Sequence, residues 1–250
     1  MTLHDTTLTL CLDAGNTRLK YGMHDGRAWR AQGALDHAGI ERLPALLTTP
    51  PARIVACNVA GEAMRMRIET LAAQLNAPLT WLRANAAVGE VRNGYDLPAQ
   101  LGADRWAALI AARALGGGAT VVVLAGTATT IDLLAADGGF QGGLILPGLT
   151  LMRQSLARHT ADLPEARGVF RERPTTTDDA IVSGALHATL GAIERMRAQL
   201  GSAAQCIVSG GAATALLPHL APPTRQVEHL VLEGLQRFAA IHDAAGDGNG

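Results

Sequence analysis

The stretch LCLDAGNTRLKYGMHDG, Leu10–Gly26, and the stretch VVVLAGTATTIDLLAADGG, Val121–Gly139, decide how this chain folds. Each opens on an apolar run, breaks at a small residue followed by glycine and polar residues, resumes an apolar run and ends on an acidic residue and glycine. That pattern predicts two strands joined by a tight polar turn. Aligned on the turns, Ala14 falls on Ala125, Gly15 on Gly126, Asn16 on Thr127 and Thr17 on Ala128. A weak two-fold internal repeat is the simplest account. It predicts two similar lobes whose turns offer glycine backbone and hydroxyl donors to a shared cleft, where both can grip one chain of phosphates.

Further apolar, β-branched runs predict strands at 53–56, 140–146 and 206–209, beside those at 8–12, 19–23, 120–124 and 129–134 within the two stretches. Helical periodicity covers 62–75, 103–115, 178–200 and 232–242. The triplet Gly116-Gly117-Gly118 is the clearest break, placing an N-terminal lobe at 1–116 and a C-terminal lobe at 117–250. Strands precede helices in each half, so the expected fold class is α/β.

Composition excludes several classes of function. With 250 residues, 48% of them hydrophobic, and a formal net charge of -1, the chain reads as an ordinary globular α/β protein rather than a polyanion binder, so nucleic acid is not an expected partner. The start, MTLHDTTLTLCLD, lacks the basic region and cleavage site of a secretory leader, and no apolar run approaches the roughly 18 residues of a membrane span. A cytoplasmic location, without membrane association, is the expectation. The three cysteines, Cys11, Cys57 and Cys206, sit in apolar segments without a CxxC pair and are expected to be buried reduced thiols. Eight histidines show no HExxH or comparable metal spacing. Lys20 is the sole lysine and follows Leu19 rather than glycine, so the GxxxxGK[ST] phosphate loop is absent.

The chemistry is concentrated in a few motifs. Asp13-Ala14-Gly15-Asn16-Thr17 follows a buried strand: its glycine lets the backbone approach an anion, Asn16 and Thr17 donate hydrogen bonds, and Asp13 suits Mg²⁺. A plain hairpin turn would use the same residues. Gly126-Thr127-Ala128-Thr129-Thr130 brings more hydroxyls to one glycine than a hairpin requires, although threonine also favours strands. Gly210-Gly211, between an apolar strand and a helix start, offers a close backbone approach for phosphate or adenosine, or simply a tight turn.

Asn93-Gly94-Tyr95-Asp96-Leu97-Pro98, followed by Leu101-Gly102-Ala103-Asp104-Arg105, places an aromatic ring, a carboxylate and a guanidinium at one helix start, as recognition and activation of a small polar acid require. Asp104 is a candidate proton acceptor and Arg105 a candidate partner for a carboxylate or a migrating phosphoryl group. Against this, first-turn acids are favoured by the helix dipole, which would leave Arg105 a solvated neighbour. Phe140–Gly148 carries three glycines and a proline, and reads as backbone routed past a ligand or another subunit, or as a bulged edge strand. Thr175–Asp179 reads as a helix cap with acids in the first turn, with capping the expected role of Thr177.

Taken together, the chain resembles the type III pantothenate kinases, also known as Bvg accessory factor-like proteins. The resemblance rests on DAGNT at Asp13–Thr17, NGY at Asn93–Tyr95, LGADR at Leu101–Arg105, GTATTID at Gly126–Asp132, FQGGLILPG at Phe140–Gly148, TDDAIVSG at Thr177–Gly184 and SGG at Ser209–Gly211. It implies two ribonuclease H-like lobes of the acetate and sugar kinase/Hsp70/actin superfamily, and a homodimer with active sites at the subunit interface. It also implies ATP phosphates bound by Asp13, Ala14, Gly15, Asn16, Thr17, Arg18, Leu19, Lys20 and Thr127, with Mg²⁺ at Asp13. Asp104 would accept the proton, and pantothenate would lie against Tyr95, Gly102, Ala103, Asp104, Arg105 and Thr177, the last from the same chain or its partner. The family carries an aspartate two residues before the GTA glycine, where it helps bind a monovalent cation such as K⁺ or NH₄⁺; Leu124 stands there instead. Two rivals remain at this level: a superfamily kinase or phosphohydrolase acting on another small substrate, and a catalytically silent regulatory protein of the same fold.

Overall fold

The computed structural model describes residues 8–160, 163, 165–201 and 203–246. The first seven residues of the N-terminal stretch read above therefore lie outside the described residues. In chain order come β1 (Thr9–Ala14), β2 (Arg18–His24), β3 (Trp29–Asp36), a 3-10 segment (His37–Arg42), α1 (Leu43–Leu46), β4 (Arg53–Asn58), α2 (Glu62–Gln74), β5 (Leu79–Trp81), β6 (Ala87–Val88), β7 (Val91–Arg92), a 3-10 turn (Pro98–Gln100) and α3 (Ala103–Leu115). The second half holds β8 (Thr120–Ala125), β9 (Ala128–Leu134), β10 (Phe140–Pro147), α4 (Leu149–His159), α5 (Thr177–Leu200), β11 (Gln205–Ser209), α6 (Ala213–Leu216), a 3-10 turn (Leu217–His219) and β12 (Thr224–Gln226), and the last element of the described residues is α7 (Leu230–Gly246).

These elements form two compact units, Met1–Leu115 with Leu230–Gly250, and Gly116–His229. The break falls at the glycine triplet. The last helix, however, belongs to the first unit, whereas the sequence placed all of 117–250 in the second lobe: α7 packs on α3, β1, β2 and β4. The apolar face of α7, with Leu230, Leu232 and Leu235 fully buried, finds its cover there, and nothing in the local sequence states which sheet that is.

The repeat is real at the level of topology. One sheet has the strand order β3-β2-β1-β4-β5 and the other β10-β9-β8-β11-β12. In each, the first three strands in chain order are antiparallel, the fourth pairs in parallel with the central strand and the fifth in parallel with the fourth. The expected strands and helices are all present, and the structure adds β3, β5, β6, β7, β12, α1, α4 and α6. β3 escapes a pattern reading because it is an exposed edge with little apolar alternation, held by pairing with β2. β10 pairs with β9 alone and shifts register between Phe140 and Gly143, where Gly142 takes a φ of 101°. Gly142 and Gly143 thus serve a bulged edge strand.

Side-chain alternation then decides which residues face which layer. In the first sheet Leu10, Leu12, Leu19, Ile54 and Ala56 enter a core completed by Ile40, Leu43, Ile68 and Leu71 from the 3-10 segment, α1 and α2. Truncating one such buried leucine to alanine costs about 2–5 kcal/mol, so this face fixes the register firmly. The intervening residues Asp13, Lys20 and Cys57 are consequently turned to the opposite face, the one where α3 packs on β4. In the second sheet Val121, Val123, Ala125, Ile131, Leu133, Cys206 and Val208 share a core with Ile193 and Met196 of α5.

Candidate active site

Strand register places Lys20, Asp13 and Cys57 side by side across β2, β1 and β4. Asp13 is only 4% exposed. Burying a carboxylate is costly unless its oxygens find partners. Here the Lys20 ammonium donates to Oδ2 at 3.3 Å and the Cys57 thiol donates to Oδ1 at a sulfur–oxygen distance of 3.7 Å. Burial, and then the charges of Asp13 and Asp104, push the Cys57 thiol well above its ordinary value, so it stays a donor. Cys11 is pushed up to about 12 and Cys206 to about 11, chiefly by burial, in keeping with three buried free thiols.

Asp104 stands in the first turn of α3. Its Oδ1 accepts the Arg105 backbone N–H at 2.8 Å, so it does answer the helix terminus as a first-turn acid would. Its pKa is nevertheless raised, first by burial and then by the charge of Asp13, against the lowering effect of the backbone bond and of Arg105. A carboxylate held at a helix start while its pKa is pushed up is poised to take a proton. Gly102 makes room for it: a Cβ there would sit 2.7 Å from Asp104 Oδ1.

The acceptor stretch is organised by Asn93, whose amide donates to the Pro98 carbonyl at 3.1 Å and whose side-chain oxygen accepts the Tyr95 N–H at 3.0 Å. This turn aims the Tyr95 hydroxyl at Arg105, which donates to it from Nη1 at 2.9 Å, with the guanidinium carbon 5.6 Å from the ring centroid. Arg105 is 4% exposed and so is not a solvated neighbour. Tyr95, Gly102, Ala103, Asp104 and Arg105 are brought together by one turn and one helix start, as the sequence suggested. Asn93 and Cys57 complete the group; the signal for Cys57 lay in its position at the carboxyl end of a strand parallel to β1, where α/β sheets place ligands.

Both glycine turns are tight. Gly15, Asn16, Thr17 and Arg18 separate the paired residues Ala14 and Leu19, with the Gly15 N–H donating to the Arg18 carbonyl at 3.1 Å. In the second unit only Gly126, Thr127 and Ala128 separate Ala125 from Thr129, and the Gly126 N–H donates to the Ala128 carbonyl at 3.0 Å. The second turn is one residue shorter, so Ala128 corresponds to Arg18 and not to Thr17, a correction to the linear alignment. Leu124, Thr130 and Ser209 then occupy the row that Asp13, Lys20 and Cys57 occupy in the first sheet. The same scaffold carries an ion pair in one unit and an uncharged row in the other.

Gly210, with a φ of 100°, lies directly against Ala125, and the Ala212 N–H donates to the Ala125 carbonyl at 3.1 Å. Gly210 and Gly211 therefore adjoin the Gly126 turn. At α5 the cap is Thr176, whose hydroxyl accepts the Asp179 N–H at 3.2 Å. The capping role expected of Thr177 thus falls to its neighbour, because Thr176 has the extended backbone of a cap and Thr177 is already helical. Thr177 is exposed at the first turn.

No group of three or more His, Cys, Asp or Glu side chains gathers to hold a metal among the described residues. Asp13 offers hard carboxylate oxygens of the kind Mg²⁺ takes, and Asp104 is a second carboxylate close enough to feel its charge.

Comparison with known proteins finds relatives along nearly the whole chain. The family described as "Type III pantothenate kinase" matches residues 9–199. A type III pantothenate kinase of Aromatoleum aromaticum is 49% identical over 95% of this chain and 100% of its own length, and one of Dechloromonas aromatica is 46% identical over 93% and 99%. A conserved putative Baf family transcriptional activator from Campylobacter jejuni superposes with a TM-score of 0.66 at 22% identity, covering 94% of this chain and 99% of that one. A putative 2-dehydro-3-deoxygalactonokinase from Sinorhizobium meliloti gives 0.59 at 15% identity over 95% and 99%, and MreB5 of Spiroplasma citri 0.53 at 9% over 98% and 99%. These neighbours carry the fold of the acetate and sugar kinase/Hsp70/actin superfamily.

Proposed function

The chain belongs to the type III pantothenate kinases, and on that premise we propose how its residues perform the transfer. The reaction moves the γ-phosphate of ATP to the primary hydroxyl of pantothenate, giving 4′-phosphopantothenate, a step of coenzyme A biosynthesis. The O–P bond to the β-phosphate breaks, the new bond forms to the acceptor oxygen, and the hydroxyl proton leaves to a base. A loose phosphoryl transfer asks the protein chiefly for positioning and charge neutralisation.

The observation that carries the residue assignment is Asp104, half-buried at a helix start, its pKa raised by desolvation and by the charge of Asp13. Asp104 accepts the hydroxyl proton once the acceptor oxygen begins to bond, and its raised pKa suits it to hold that proton. Asp13, kept in place by Lys20 and Cys57, holds Mg²⁺ directly or through water. Bound with ATP, Mg²⁺ supplies neutralisation of the phosphate charge. The 13–20 segment and Thr127 bind the phosphates, and Gly210 and Gly211 supply backbone to the nucleotide. Tyr95, Gly102, Ala103 and Arg105 form the pantothenate side of the site, with the Arg105 guanidinium pairing the substrate carboxylate. Thr177 contributes to the same acceptor site, within a homodimer in the cytoplasm.

Leu124 lacks an anionic oxygen, so any monovalent cation near the Gly126 turn would depend on carbonyl and hydroxyl oxygens. A coupled kinase assay with pantothenate, run with and without potassium, tests substrate and cation together. Turnover of pantothenate in both conditions supports the reading. ATP consumption with other acids but not with pantothenate would reject it.

A further inference from the structure

The two glycine turns are braced by the same device, from the same place in the fold, by different chemistry. In the first unit β3 ends at Asp36, which pairs with Arg18 at the foot of the turn, and the next residue is His37. His37 Nε2 lies 2.8 Å from the Gly15 carbonyl oxygen. A carbonyl oxygen only accepts, so Nε2 carries the proton and donates. In the second unit β10 ends at Pro147, which pairs with Ala128, and the next residue is Gly148. Its backbone N–H donates to the Thr127 carbonyl at 2.8 Å. A side chain at Gly148 would run into the Gly126 carbonyl and lie 2.7 Å from that of Thr127, so only glycine brings this N–H so close. In both units the first residue beyond the third strand thus donates a hydrogen bond to a carbonyl within the turn.

We infer that His37 is a positioning residue for nucleotide binding: by anchoring the Gly15 carbonyl it holds the peptide planes of the 15–18 turn so that the remaining donors face the phosphates. The inference rests on the assignment of that turn to the nucleotide. The brace is rigid because His37 opens a 3-10 segment whose Ile40, with Leu43 just beyond it, is buried in the core. Backbone donors act on an anion only when their orientation is fixed before it arrives, since reorientation on binding is lost from the affinity.

The test compares His37→Phe, which keeps a ring and removes the donor, with His37→Gln, whose amide nitrogen can take the place of Nε2. His37→Asn, too short to reach the Gly15 carbonyl, stands in where the Phe variant does not fold. Each is measured for binding of a non-hydrolysable ATP analogue with Mg²⁺ and for KM of both substrates. The expected result is nucleotide affinity weakened about tenfold in His37→Phe and His37→Asn, the worth of one hydrogen bond, with KM for pantothenate unchanged and His37→Gln close to wild type. Unaltered nucleotide affinity in the donorless variants overturns the brace, as does a loss in His37→Gln equal to that in His37→Phe. Failure of the wild-type protein to bind the analogue would instead reject the nucleotide assignment of the turn itself.

Discussion

Asp104 keeps its proton to higher pH than an ordinary aspartate because its carboxyl is partly withdrawn from water, and the negative charge of Asp13 adds to that effect. β1 and the start of α3 thus bring near one another two acids with different surroundings. Asp13 already has an ammonium and a thiol as partners, while Asp104 has the backbone N–H groups of Arg105 and of its own residue and an arginine neighbour.

Replacing Asp104 by Asn removes the proposed proton acceptor while keeping the shape. The expected outcome is a fall in kcat of about 10²–10⁴-fold, the usual span for a general base, with ATP binding retained. Steady-state kinetics together with calorimetric titration of ATP would check it, and near-normal turnover would take Asp104 out of the chemistry.

The same substitution has an opposite consequence for stability. The folded-state pKa of Asp104 lies above its ordinary 3.8, so between those two values the native state binds more protons than the unfolded chain, and stability falls as pH rises. The amide that replaces the carboxylate carries no charge to bury. Thermal melts should therefore show Asp104→Asn more stable than the wild type at neutral pH, with the gap closing below about pH 3.8. An equal gap at all pH values would contradict the raised pKa.

Gly102→Ala tests the geometry rather than the charge. The added methyl would stand 2.7 Å from Asp104 Oδ1 and force that carboxylate aside. Displacement of a catalytic group by about 1 Å costs on the order of 10²-fold in rate, so kcat should drop by about that factor while the far-ultraviolet circular dichroism spectrum is preserved.

Lys20 offers a chemical handle because no other lysine is present. Its side chain is 35% exposed and paired with Asp13. An amine-directed acylating reagent should modify one side chain, abolish activity in proportion, and be blocked by MgATP. Mass spectrometry would read the site; full activity after complete modification of Lys20 would exclude it from the nucleotide site.

Much of this was legible in the chain itself. The two apolar-turn-apolar stretches announce the hairpins, and the glycine triplet announces the break, because period and turn chemistry are local properties. The motif at 93–105 showed which polar residues belong together. It did not show that Arg105 would be buried against Tyr95, since burial depends on packing from outside the segment. Thr177 illustrates the limit at finer scale: three threonines in a row each suit a cap, and only backbone dihedrals select Thr176.

What the sequence determined by itself is the repeated unit, the turns and the inventory of reactive groups, all of which follow from residue types and their spacing. Tertiary structure decided that α7 returns to the first sheet, that Cys57 and Lys20 flank Asp13, that the second turn is one residue shorter, and that His37 reaches Gly15. α7 and its sheet, Cys57 and Asp13, and His37 and Gly15 are far apart in the chain, and these relations, like the hairpin registers, are set by strand pairing and by which apolar face finds cover.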